Sequence, residues 1–139
     1  MIKDLANYFL PEQEFYLEQA VYERLDKKAE VPEYSLKCID NIETEVFSDQ
    51  VKVIVKRVVT FEPRDIFDLS VSFGAILKFN DRKEEYDWEN IDLAEEFREN
   101  GDFVLANLLN RMSLLIAEIT ASYGQPPLIL PPKVAVKKK

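Results

Sequence analysis

Apolar and polar residues alternate with a period of two over most of residues 14–79, and beyond residue 90 the period becomes that of a helix. The first alternating segment, Glu14–Leu25, places Phe15, Leu17, Val21 and Leu25 on one side of a strand and follows a leader, Met1–Leu10, that Pro11 closes. Asp26–Ser35 carries charges, a proline and no period, so it reads as a loop long enough to cross over. Leu36–Phe47 alternates next, with Leu36, Cys38, Ile42, Thr44 and Val46 on one face and Lys37, Asn41, Glu43 and Glu45 on the other. After a turn at Ser48-Asp49-Gln50, Val51–Phe61 turns Val51, Val53, Val55, Val59 and Phe61 inward, a set that Arg57 interrupts. Pro63-Arg64-Asp65 makes the following turn, and Ile66–Phe79 alternates most cleanly of all. Short connections leave no room for parallel crossovers, so these last three strands form an antiparallel meander.

Residues 84–99 hold eight acids, and Asn90 before Ile91-Asp92-Leu93 predicts the N-cap of a short acidic helix that Asn100-Gly101 ends. Asp102 is expected to cap a second helix running to Ser122, stopped by Gly124 and the prolines that follow. On it Leu105, Leu108, Leu109, Met112, Leu115, Ile116 and Ile119 recur at helical spacing and form one apolar stripe. Such a helix spans roughly 31 Å, enough to cover the sheet lengthwise. Phe103, Val104 and Leu114 lie off the stripe and are expected to need a second partner, as at a helix-to-helix interface between subunits. The segment 125–132, rich in proline, is extended and carries Leu128-Ile129-Leu130 against something apolar. The fold class is α+β: one strand, a crossover loop and a three-strand meander make a four-stranded antiparallel sheet covered by one long helix. A single domain, 1–139, is expected, with residues 1–12 and the basic tail 133–139 flexible.

At 47% apolar and 12% aromatic, the composition is rich for 139 residues, and a small body has little interior in which to hide it. Part of that surface is expected to meet an oligomer partner or a ligand. The net charge of −8 disfavours polyanions, so neither nucleic acid nor an anionic membrane is an expected partner. The window 103–119 carries Asn107, Asn110, Arg111 and Glu118 and does not read as a membrane span. One cysteine, Cys38, and no signal peptide point to a reducing, cytoplasmic setting.

The chain has no histidine, which removes the commonest general base, the Ser-His and Cys-His pairs and most zinc sites. Its three glycines, at 74, 101 and 124, write neither a P-loop nor a dinucleotide fingerprint. The acids at 84–99 lack the spacing of a calcium loop and read as a solvated helix face. Cys38 lies on the apolar phase of its strand, as a buried structural thiol would. No enzyme, cofactor or metal is expected.

Two stretches carry a family resemblance: Asp68–Asn80 (DLSVSFGAILKFN), and above all residues 107–132, a long helix followed by glycine, prolines and alternating leucines. They resemble the SecB export chaperones over roughly residues 13–132, and the order of elements is also that family's. The resemblance implies a homotetramer in which first strands pair two subunits and long helices pack between the dimers. It also implies a chaperone that binds unfolded or extended polypeptide in apolar grooves, linked in that family to protein export. Carried over by position, the groove residues are Val31, Pro32 and Tyr34 in the crossover loop and Leu128, Ile129 and Leu130 in the proline-rich segment; the last three are equally placed to close the core. Two departures count against a contact with the SecA motor. Ser70 stands where the family's meander strand offers a glutamate, and the chain ends at Lys139, where the family has a second helix and an acidic tail.

The alternative is a scaffold of the same fold that recognises one specific partner, such as an antitoxin or a phage protein, through its acidic surface. Both readings make the chain a dimer or tetramer that binds protein.

Overall fold

The structure, a computed structural model, describes residues 2–25, 35–63, 66–122 and 127–131. Among these, four strands form one antiparallel sheet: β1 (Phe9–Leu25), β2 (Ser35–Val46), β3 (Gln50–Glu62) and β4 (Ile66–Phe79), in the order β1-β4-β3-β2. The meander β2-β3-β4 stands as the alternation dictates, and the connection from β1 to β2 carries the chain from one edge of the sheet to the other. Val51, Val53, Val55 and Val59 of β3 are buried beside Leu69, Val71, Ala75 and Leu77 of β4. These odd-numbered residues form the inner face, because alternate side chains of a strand point the same way.

Helix α1 (Leu93–Asn100) and helix α2 (Asp102–Ala121) follow two short 3-10 turns. Leu105, Leu108, Leu109, Met112 and Ile116 of α2 are buried, and Leu115 and Ile119 pack at the margin of the core, so the stripe does cover the sheet. By length and composition α2 would suffice to cross a membrane, but its apolar stripe is buried against β3, β4 and α1.

The caps differ from expectation. The α1 N-cap is Asp92, whose carboxylate accepts from the Glu95 amide at 3.3 Å, while Asn90 closes a 3-10 turn instead. Gly101 serves both helices, as C-cap of α1 and N-cap of α2, and Asp102 is already the first residue of α2. A Cβ at position 101 would overlap the Phe97 carbonyl oxygen, so close approach of the backbone selects glycine there.

The described part of the leader packs against the core. Leu5–Tyr8 forms a 3-10 turn, Ile2, Leu5 and Tyr8 are buried, and the Ile2 amide donates to Glu96 Oε2 at 2.7 Å. Strand β1 opens at Phe9, ahead of Pro11, which an edge strand tolerates because its outward amide has no ladder partner. The tail 133–139 and the loop residues 26–34 lie outside the described residues.

Candidate peptide-binding surface

Strand β1 does not keep its apolar set on one side. Leu17 pairs with Phe73 but Gln19 with Ser72, so one extra residue is inserted between them. Such a bulge reverses which side chains face inward. Phe15 and Leu17 therefore share the inner face with Ala75 and Phe73, while Val21, opposite Ser70, and Leu25, opposite Ile66, turn to the outer face. Tyr22 takes the inward position, opposite Leu69 and 5.4 Å from the Phe67 ring. As a result this edge strand exposes apolar side chains on both faces, with Leu17 51% exposed and Val21 and Tyr22 also open.

Beyond the C-terminal end of α2 the inner face continues as two apolar rows. One runs Tyr22, Leu69, Val59, Cys38 across the four strands, and the next brings Phe67, Phe61 and Leu36 together, with the Phe61 and Phe67 rings 5.0 Å apart and edge-on. Tyr22 and Leu36, at opposite ends of this apolar zone, are exposed. It lies where β1 ends and β2 begins, and in sequence the segment between these two strands carries Val31, Pro32 and Tyr34. Those three residues themselves lie outside the described residues. The Cys38 thiol is pushed up from its ordinary pKa by burial, partly opposed by Arg57, so it stays a neutral apolar group there.

The zone is bounded by an ion pair that strand periodicity shows only as two gaps. Arg57 on β3 and Asp40 on β2 are directly opposite, and both side chains are inaccessible to solvent. Arg57 Nε donates to Asp40 Oδ1 at 2.7 Å and Nη2 to Oδ2 at 2.8 Å, a two-pronged pairing. Burial opposes the Arg57 charge, but the hydrogen bonds and attraction of Asp40 outweigh it, and the guanidinium pKa stands above its ordinary value. The remaining prong, Nη1, donates to the Pro131 carbonyl at 3.1 Å.

That contact places the proline-rich segment. Leu130 is buried and Leu128 packs at the edge of the core, whereas Ile129 is 77% exposed. Of the three residues expected in a groove, Leu128 and Leu130 thus face the core and only Ile129 is open. On α2, Val104 is fully buried in its own subunit and is not available to a second partner. Phe103 is half-buried between the Phe9 and Phe97 rings, at 6.1 and 6.0 Å. Leu114 remains 68% exposed on the side of α2 that faces away from the sheet.

The edge-to-edge crossover, the three-strand meander, the long covering helix and the extended segment returning along its end together define a SecB-like fold. Among solved structures the chain is similar to the SecB-like chaperone Rv1957 of Mycobacterium tuberculosis, determined in complex with a ChAD peptide from the Rv1956 HigA1 antitoxin. The TM-score is 0.67 at 12% identity, over 92% of this chain and 93% of that one. It is also similar to a protein of unknown function from Streptococcus agalactiae, with a TM-score of 0.51 at 14% identity, over 86% of this chain and 95% of that one. No family model and no curated protein sequence matches the chain.

Proposed function

We propose that this protein is a SecB-like chaperone that holds an extended, apolar stretch of a protein client, without chemistry or nucleotide. The observation that carries this reading is the apolar zone on the inner face of the sheet, open at Tyr22 of β1 and at Leu36 of β2, on a fold shared with a chaperone solved with an antitoxin peptide. Burying client side chains there stabilises a complex by about 25 cal/mol per Å² whatever the client's sequence. The assembly is a homo-oligomer in a reducing, cytoplasmic setting, with the open β1 edge and Leu114 as its contacts.

Dilution of a chemically denatured protein into buffer with and without the chain tests the reading. Suppression of aggregation saturating near one client per assembly is the expected result. A folded preparation that leaves light scattering unchanged at every ratio removes it.

A further inference from the structure

Residues 127–131 have the form of a bound peptide. Leu128 and Leu130 point into the protein and Ile129 points out, the period-two alternation of an extended chain on an apolar bed. Two backbone groups hold it. The Leu128 amide donates to Thr120 Oγ1 at 2.7 Å, and the Pro131 carbonyl accepts from Arg57 Nη1 at 3.1 Å. Both anchors are buried polar side chains, Thr120 2% and Arg57 1% exposed, and each is already fixed from behind. Thr120 Oγ1 donates to the Ile116 carbonyl at 2.8 Å, and Arg57 is held by Asp40. A rigid acceptor and a rigid donor set three residues apart over apolar pockets recognise a main chain and the apolar character of alternate residues, with no call on side-chain identity.

We infer that the channel between the C-terminal turn of α2 and Arg57 of β3 is a binding site for extended polypeptide with apolar residues at alternate positions, occupied in cis by Leu128–Pro131, which a client displaces. The inference rests on the chaperone reading for its client. The cis segment sits in the channel as a tethered competitor, so the apparent affinity for a segment in trans falls by the fraction of time the channel is free. It also shields apolar surface and two buried polar groups when no client is present.

The probe is a fluorescein-labelled peptide with the sequence of residues 126–132, titrated into the full-length chain by polarisation. The double variant Leu128→Ser, Leu130→Ser loosens the cis segment but leaves both anchors, and is expected to bind the probe about tenfold more tightly than the parent. Adding Thr120→Val, which removes the acceptor without changing shape, is expected to reverse that gain. In the unaltered chain, which needs no substitution to fold, saturating probe is expected to speed hydrogen exchange at the Leu128 amide as its bond to Thr120 is vacated. Unchanged Leu128 exchange with probe bound, or no probe binding at all, overturns the inference. So does equal affinity in a folded double variant. Aggregation assays run alongside separate the two readings. Undiminished suppression with unchanged Leu128 exchange removes the cis occupant and leaves the chaperone; faster exchange without suppression leaves the channel and removes the chaperone.

Discussion

Asp40 and Arg57 each occupy a position on the covered face of the sheet where an apolar side chain would be expected, and neither would be tolerated alone. A buried charge without its partner retains its desolvation penalty, so Arg57→Met should destabilise the protein by about 3–5 kcal/mol in urea unfolding. The combined Asp40→Leu, Arg57→Met change should recover most of that loss, because it removes both charges together. Periodicity exposes each residue as a gap in its own strand, but it cannot show that the gaps are opposite; that needs the register, which places 40 beside 57. Gly101 is similar. Its place between two helical patterns marks a boundary, while the contact that requires it, the Phe97 carbonyl, appears only once α1 and α2 are folded. Gly101→Ala should cost about 1–3 kcal/mol in the same assay, through the overlap that a Cβ forces on the α1–α2 junction.

At the scale of elements, the three meander strands and the long helix were legible because each has one wet face and one dry face over many residues. Strand β1 was not. Its inserted residue reverses inside and outside halfway along, and a bulge is defined by the partner strand that lacks the extra residue. An edge strand also tolerates a poor pattern, since only one side of it is paired. The same feature gives β1 its consequence: apolar groups on both faces of an unpaired edge invite another strand, which soluble proteins usually prevent with lysine or proline. Pro11 guards only the beginning of β1. Leu17→Lys with Val21→Lys should therefore reduce the molar mass measured by light scattering after gel filtration to that of a smaller assembly, with the circular dichroism spectrum of the parent. A parental mass in this variant would mean that the subunits associate elsewhere.

Across the whole molecule the segment least legible in the sequence, the leader, closes one end of the core. Its apolar residues, Ile2, Leu5 and Tyr8, show no period because Ile2 precedes, and Leu5 and Tyr8 share, a single 3-10 turn too short to establish one. What holds them is a cluster remote in sequence. The Arg82 guanidinium lies 4.4 Å from the centre of the Tyr8 ring, donates to Tyr8 Oη at 3.1 Å and to Glu85 Oε2 at 2.8 Å, and pairs with Asp4 at 3.5 Å. Hydrogen bonding to Arg82 holds the Glu85 carboxyl below its ordinary pKa. A carboxylate with a depressed native pKa contributes stability that is complete above its unfolded value, near 4.5, and is lost as pH falls through the native value. Arg82→Gln and Glu85→Gln each remove that contribution, so both variants should be less stable than the parent at neutral pH and converge on it as the solution becomes acid. Trp88 is the one tryptophan and stands with its ring 5.4 Å from Tyr8 and 5.1 Å from Phe79, so its fluorescence reports this end of the molecule directly. Urea midpoints followed at Trp88 from pH 7 down to about pH 3 should rise more steeply with pH in the parent than in either variant. Parallel curves would show that the Arg82 and Glu85 pairing is screened by solvent and that burial of Ile2, Leu5 and Tyr8 alone closes the core.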